Sequence, residues 1–271
     1  MLLLKTTRTE LRNNAPIFTK YVLETQFWVS LMISCLCLFI GFLHGKADYK
    51  RIALVFFAIL AGYNFIHYHR FWIKNFQYKE KFFLFLFGLI SAGYLVFRIQ
   101  NFELLFRLFL LCICVLLYNS YLFPLKLRNI SLLKIFIIAF VWTSFILYIA
   151  NDLPFSTIEF LSIFLFIFAI TLPFDIADMN KDSVSTIPKI MGERKSKILS
   201  SICLCVSIIL FALQFSHDRI FFFSWVAACL ITMIFIKFTK TENAYFYTRF
   251  CVEACSALPL LCYWILKCFF Y

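Results

Sequence analysis

The sequence predicts an all-α, polytopic membrane protein with about nine transmembrane helices. Of its 271 residues, 63% are apolar and only 15% are charged, whereas soluble domains carry about 25% charged residues. The mean hydropathy is +0.88, and apolar runs such as FLSIFLFIFAITL (residues 160–172) recur along the chain. Because each helix needs about 20 residues to cross the hydrocarbon, the chain is long enough for several spans. These observations exclude the ordinary soluble globular class.

Charged or turn residues separate nine apolar ranges, and each range is long enough to predict a helix. The predicted helices are Val22–Leu43, Ile52–Ile66, Phe82–Phe97, Leu104–Phe123, Leu132–Ala150, Ile158–Phe174, Ile198–Phe215, Ile220–Phe238 and Phe250–Phe270. The second and third ranges are short. No connection between them is long enough for a separate soluble domain, so we expect residues 1–271 to form a single transmembrane domain.

The basic residues predict the orientation of the chain in the membrane. Counted on alternating sides of the nine helices, 19 of the 26 Lys and Arg residues fall on the side of the N-terminus and 7 on the other. Basic residues accumulate on the cytoplasmic side. We therefore expect a cytoplasmic N-terminus, an external C-terminus and, in a bacterium, location in the inner or plasma membrane. The net charge of +12 then reflects contact with anionic lipid headgroups rather than nucleic acid.

One long polar segment, PFDIADMNKDSVSTIPKIMGERKSK, follows the sixth predicted helix and contains Asp175, Asp178 and Asp182. If that helix continues through the segment, the three carboxylates fall within an arc of about 60°. Like charges at a helix C-terminus need a compensating cation, and a set of oxygen ligands suits Mg²⁺. Alternatively, these residues are solvated loop acids that end a membrane span, with Lys181 neutralising part of their charge.

The same segment resembles the second aspartate-rich motif of the UbiA-type intramembrane prenyltransferases. The similarity covers DxxDxxxD, which starts at Asp175, the sequence Thr186-Ile-Pro188 and the glycine at position 192. The stretch LLYNSYLFPLKLRNISLLKIFIIAFVWT is similar to the tyrosine-containing and basic segment between helices four and five of that family. Nine helices with a cytoplasmic N-terminus also fit. The resemblance implies a UbiA-like helical bundle over most of the chain.

The resemblance also implies a reaction and a set of site residues. Family members transfer a prenyl group from a polyprenyl diphosphate to a lipid-soluble acceptor, often an aromatic ring such as a quinone precursor. Asp175, Asp178 and Asp182 would hold Mg²⁺, and Asn64, Lys126 and Arg128 would bind the diphosphate. Lys126 and Arg128 also fit the positive-inside pattern, so both interpretations stay open. The resemblance identifies no catalytic residue and does not specify the acceptor.

The first aspartate-rich motif of the family, NDxxDxxxD, is degenerate in this chain. The corresponding stretch is AGYNFIHYHRFW, with Asn64 at the asparagine position and Phe65, Tyr68 and Trp72 at the three acidic positions. We therefore expect one fewer Mg²⁺, or none of the usual pair. The substitutions leave an alternative function open, that of a catalytically silent relative that binds prenyl lipids or organises a pathway in the membrane.

Several nearby residues have two possible roles. Tyr118 and Tyr121 are candidates for the substrate cavity, or else aromatic residues at the membrane interface. His67 and His69 point to different helix faces and suit structural or interfacial roles. Glu253, four residues after Arg249, is expected to form an ion pair with it. The basic residues that follow the degenerate motif could take over charge neutralisation; they are Arg70, Lys74, Lys79 and Lys81.

A transporter or channel is the remaining alternative. Such proteins place ionisable or helix-breaking residues near the middle of the membrane, whereas this sequence gathers its polar groups on one side. The pattern therefore favours the prenyltransferase-like interpretation.

Overall fold

The computed structural model describes residues 19–75, 77–119, 133–154, 156–180, 185–241 and 246–270. Within these ranges all regular structure is helical, as the sequence predicts. Helices suit a bilayer because their backbone groups are satisfied within the segment. The long helices are α1 Phe27–Leu43, α2 Tyr49–Asn75, α3 Lys79–Ile99, α4 Phe102–Asn119, α5 Leu133–Ala150, α6 Thr157–Ala177, α7 Glu193–Phe215, α8 Arg219–Lys237 and α9 Tyr247–Phe269.

Seven of these helices, α2, α3 and α5 to α9, are long and apolar enough to cross a membrane. Helix α1 is apolar but has only 17 residues. Each predicted range falls on one of the long helices in the described part of the chain. The predicted number of membrane spans, nine, stays a prediction.

The second predicted range, Ile52–Ile66, is too short, because α2 runs for 27 residues to Asn75. The sequence NFIHYHR lowers the local hydropathy without ending the helix. Its first residue, Asn64, is fully buried, and its side-chain amide bonds to the backbone carbonyls of Leu60 and Thr25 at 2.8 and 2.9 Å. Helix α2 therefore accommodates this polar residue inside the bundle.

Helix α6 lies at the centre of the bundle and α3 at its edge. In the apolar stretch of α6, 67% of the residues are buried, against 6% in α3. Helix α3 packs along α2, and the contact is close at Gly88, where a Cβ would lie 3.0 Å from backbone atoms of Phe57 and Ala61. The exposed surface of α3 is apolar and therefore suits contact with lipid.

Polar contacts join α6 to α7 in the core. Ser162 Oγ donates to Ser207 O at 3.0 Å, and Ser207 Oγ donates to Ser162 O at 2.8 Å. Trp225 of α8 donates its indole N–H to Ser207 Oγ at 3.2 Å and stacks on Phe211 with 4.7 Å between ring centroids. Small residues at a helix contact let the backbones approach, so these serines fix α6 against its neighbours.

The bundle has two ends, the Glu159 end, where α6 begins, and the Asp175 end, where α6 finishes. At the Glu159 end, the buried Glu159 carboxylate lies 2.8 Å from His44 Nε2. At the same end, Asp152 pairs with Arg51 at 2.9 Å and with Arg107 at 3.0 Å. The first pair connects α1 to α6, and the other two connect α2 and α4 to the connection after α5. The other end, the Asp175 end, carries the aspartate segment.

Candidate active site

A cavity of about 260 Å³ opens among α1, α2, α4, α5, α6 and α9 and includes Asp175 and Asp178. Its lining changes character with depth. Near the Asp175 end the cavity is lined by charged and polar side chains, namely Gln26, His67, Lys134, Asp175, Asp178, Arg249 and Glu253. Further inside it is lined mainly by apolar and aromatic side chains from α1, α2, α5 and α6, with Thr171 and Ser256 as polar exceptions. A polar mouth above an apolar interior suits a ligand with a charged head and a hydrocarbon tail.

Helix α6 places the first two aspartates at the cavity. It ends at Ala177, with Asp178 as its C-cap residue, so the helix does not continue through the aspartate segment. Asp175 lies in the last turn, is 3% exposed, and lines the cavity together with Asp178. Asp182 lies outside the described residues, and its predicted role in binding metal stays a prediction.

Lys134, at the start of α5, pairs with Asp175. Its Nζ lies 2.6 Å from Asp175 Oδ1, and the two side chains are 13% and 3% exposed. The pair brings a cation to the negative end of the α6 dipole, where it is stabilising. Sequence reasoning counted Lys134 only among the positive-inside residues. The sequence did contain one sign of a role at the site: Lys134 lies in the first turn of a helix, where the helix dipole disfavours a cation.

Helix α9 contributes a second cation and a carboxylate. Arg249 and Glu253 both line the cavity, and the guanidinium interacts electrostatically with the Glu253 carboxylate. Arg249 lies in a π-helical turn, Tyr247–Val252, and such turns occur often at functional sites. The sequence indicated the spacing of these two residues, but not that they face the same cavity as the aspartates.

Asn64, predicted to bind the diphosphate, lies beside the cavity rather than among its lining residues. Its Nδ2 donates to the carbonyls of Thr25 and Leu60. The bond to Thr25 holds α2 against the segment before α1. Its role towards a diphosphate stays a prediction.

The degenerate motif of α2 is occupied by aromatic packing. Phe65 stacks on His69 with 4.8 Å between ring centroids, Tyr68 stacks on Trp72 at 6.5 Å, and Trp72 also contacts Phe85 of α3 at 5.4 Å. These side chains offer no carboxylate, and they fasten α2 to α3 instead of forming a metal site.

The two histidines of α2 have different surroundings. His69 is buried, with Nδ1 at 2.8 Å from the Phe65 carbonyl oxygen. His67 lines the cavity and contacts the Tyr63 ring edge-on at 5.8 Å. This difference agrees with the predicted divergence of residues two apart on a helix.

Four other predicted site residues cannot be placed against the cavity. Tyr121, Lys126 and Arg128 lie outside the described residues, and so does the side chain of Tyr118. Their roles at the cavity or the diphosphate stay predictions. The cavity residues Cys114 and Val115 show that the helix carrying Tyr118 borders the cavity.

The described carboxylates suit Mg²⁺ only if a phosphate ligand also coordinates the ion. Mg²⁺ is commonly held by one or two carboxylates together with substrate phosphates and water, and Asp175 and Asp178 provide such a pair. Among the described residues, no group of three or more His, Cys, Asp or Glu side chains is arranged to hold a metal ion. The described part of the site therefore suits an ion that a phosphate ligand helps to bind.

No protein-family model and no curated protein matches this sequence, but its structure resembles solved ones. A UbiA homologue from Archaeoglobus fulgidus aligns with a TM-score of 0.63 and 12% identity, over 91% of this chain and 98% of that one. The homologue from that organism bound to GPP and Mg²⁺ aligns with a TM-score of 0.58 and 12% identity, over 89% and 99%. A structure of digeranylgeranylglyceryl phosphate synthase aligns with a TM-score of 0.54 and 18% identity, over 89% and 92%.

At these identities the comparisons show the fold, which agrees with the resemblance drawn from the aspartate segment.

Proposed function

We propose that this chain, an all-α integral membrane protein with the UbiA-type fold, is an intramembrane prenyltransferase. It would transfer a prenyl group from a prenyl diphosphate to a lipid-soluble acceptor of aromatic, quinone-type or similar chemistry. The observation that carries the proposal is a single cavity with Asp175, Asp178, Lys134 and Arg249 near one end and an apolar interior. Structures with the same fold include one with GPP and Mg²⁺ bound, which supports a diphosphate substrate.

The polar mouth would act on the diphosphate. When the bond between the prenyl carbon and the diphosphate oxygen breaks, the electron pair goes to the leaving group and its negative charge increases. Lys134 and Arg249 provide fixed positive charge for that oxygen, and fixed charge of this kind stabilises a transition state. A Mg²⁺ ion held by Asp175 and Asp178 would add positive charge at the phosphate oxygens. Asp182, Asn64, Lys126 and Arg128 are the further candidates for this end.

The apolar interior would protect the allylic cation that the broken bond leaves behind. Exclusion of water prevents its hydrolysis, and aromatic rings attract cations. Tyr63 and Trp142 line this part of the cavity, with 5.6 Å between their ring centroids. The acceptor then forms a bond to the cationic carbon and releases a proton, which the leaving diphosphate can accept.

The charge pattern supports an orientation for this reaction. With the N-terminus in the cytoplasm, as the 19 to 7 distribution of basic residues predicts, the Asp175 end faces the cytoplasm. A water-soluble diphosphate head would then approach from that side, while a lipid-soluble acceptor reaches the cavity from the membrane.

Binding of geranyl diphosphate to the full chain in detergent tests the proposal, measured with Mg²⁺ and with EDTA. We expect Mg²⁺-dependent binding that Asp178→Asn weakens at least about tenfold, as loss of metal-site groups commonly does. Asp218→Asn, at a residue of the Glu159 end whose side chain is 47% exposed, is the matched control and should bind as the unaltered chain does. Release of diphosphate after addition of a lipid extract would demonstrate turnover. Absence of binding, or equal binding by Asp178→Asn, would contradict the proposal.

A catalytically silent prenyl-lipid-binding protein is the second candidate. The aromatic packing of Phe65, Tyr68 and Trp72 at the positions of the first metal motif favours it. The same binding experiment separates the two functions, because a silent relative binds the diphosphate and releases none with any acceptor extract.

A further inference from the structure

The inner end of the cavity is closed. Ile33 of α1, Phe145 of α5 and Ile167 of α6 are lining residues far from the mouth. Within about one helical turn beyond them, the core is solid and its side chains are fully buried at 0% exposure: Leu36, Val55, Ile146 and Ile163. The cavity therefore ends inside the bundle and does not continue to the Glu159 end.

The depth of the cavity follows from the helices that line it. On α5 the lining extends from Lys134 to Phe145, and on α6 from Asp178 to Ile167. Both distances are about 16 Å at 1.5 Å per residue. An extended isoprene unit spans about 5 Å at ordinary bond lengths, and a diphosphate at the mouth takes a similar length. The remaining depth accommodates roughly two isoprene units.

Three aromatic side chains form a wall in the apolar part of the cavity. Trp142 lies 5.6 Å from the Tyr63 ring centroid, at an interplanar angle of 30°, and 6.3 Å from that of Phe145. Trp142 and Phe145 are both 7% exposed, so packing restricts their movement. Gly62, next to Tyr63 on α2, also lines the cavity, and a Cβ built on it would meet no atom within 4 Å. A side chain added at position 62 would therefore occupy cavity space beside this wall.

We propose that the cavity selects short prenyl diphosphates, with about two isoprene units, and that Tyr63, Trp142 and Phe145 set the limit. This inference rests on the proposed function and specifies its substrate class. A longer tail gains little from burial, because the lipid or detergent that it leaves is as apolar as the cavity. It must instead displace packed side chains or bend out of the cavity. Forcing a longer tail into the cavity would overpack it, which corresponds to a loss in affinity of about tenfold or more.

Competition binding tests the limit with the full chain in detergent and Mg²⁺. Unlabelled dimethylallyl, geranyl, farnesyl and geranylgeranyl diphosphates would each displace radiolabelled geranyl diphosphate. We expect geranyl diphosphate to bind at least about tenfold more tightly than geranylgeranyl diphosphate.

Two substitutions alter the available length in opposite directions. Gly62→Leu adds a side chain nearly as large as an isoprene unit. It should therefore lower the affinity for geranyl diphosphate about tenfold or more and leave the affinity for dimethylallyl diphosphate unchanged. Gly93→Leu is the matched control, since Gly93 is exposed on α3 and also has open space around its Cβ position. Trp142→Ala removes part of the wall and should bring the affinities for geranyl and geranylgeranyl diphosphates closer together. Should Trp142→Ala fail to fold, Gly62→Leu still decides the matter.

The outcomes distinguish this inference from the function on which it rests. Equal affinity for all four diphosphates, or binding of geranyl diphosphate unchanged by Gly62→Leu, would overturn the length limit and leave the proposed function intact. Failure of every diphosphate to bind, the dimethylallyl compound included, would overturn both.

Discussion

Replacement of Lys134 by methionine should destabilise the protein through Asp175. The two groups lie 2.6 Å apart and are 13% and 3% exposed, so the substitution removes the Lys134 cation from a buried carboxylate at the negative end of α6. Removal of one partner from a buried pair costs about 3–5 kcal/mol. For a chain of this size, the lower figure corresponds to a Tm decrease of roughly 6–12 °C.

A double-mutant cycle in detergent provides the assay, with thermal unfolding of Lys134→Met, Asp175→Asn and the combined variant. Because the neutral pair leaves no buried charge, we expect the combined variant to be more stable than Lys134→Met alone. The control is Lys267→Met, which removes an exposed cation 5.6 Å from the Tyr263 ring and should cost no more than about 1 kcal/mol. Equal stability of Lys134→Met and the unaltered chain, or simple additivity in the cycle, would refute this account of the pair.

Three further substitutions test packing and the role of Asn64. Ser207→Ala removes the acceptor of the Trp225 indole N–H and a donor to α6, and should cost about 1 kcal/mol in thermal unfolding; an unchanged Tm would contradict this role. Gly88→Leu should separate α3 from α2, because its Cβ would lie 3.0 Å from backbone atoms, and so lower the Tm, whereas Gly93→Leu should not. Asn64→Ala removes two hydrogen bonds to backbone carbonyls and should cost about 2 kcal/mol in thermal unfolding. Loss of geranyl diphosphate affinity in the same variant would support the proposed role of Asn64 in diphosphate binding, and unchanged affinity would contradict that role.

The sequence was sufficient for the fold because each long helix has its own apolar run. Most helix ends fall within a few residues of the predicted ones, and the exception is instructive. Helix α2 continues to Asn75 because Asn64 and His69 are accommodated by hydrogen bonds within the bundle. A hydropathy profile takes no account of such bonds, so the helix that it predicts ends too early. The UbiA-type arrangement came from the aspartate segment and not from periodicity.

The candidate site was only partly predictable, because it is assembled from distant parts of the chain. Asp175 and Asp178 share one segment, so their spacing could be read directly. The partners of that segment, Lys134 and Arg249, come from α5 and α9 and look like ordinary positive-inside residues in the sequence. Trp142 lies within a largely apolar helix, and its neighbours in the sequence do not indicate that it borders a cavity. Contacts between distant helices, which a single sequence does not reveal, determine these roles.

The degenerate first motif has a consequence for the number of metal ions. Among the described residues that line the cavity, the two cations Lys134 and Arg249 do no more than balance the carboxylates of Asp175 and Asp178, so they leave no excess positive charge for a diphosphate. A diphosphate adds further negative charge, so its binding requires a cation. Acidic residues at the positions of the degenerate motif would add three more negative charges and call for a second ion; the aromatic residues there remove that need.

We therefore expect one divalent ion per chain in the complex with geranyl diphosphate, measured as bound Mn²⁺ by electron paramagnetic resonance. Asp178→Asn should reduce this occupancy, and Asp218→Asn, at the Glu159 end, should leave it unchanged. Two bound ions per chain would mean that other residues replace the missing acids, and the charge argument would then be wrong.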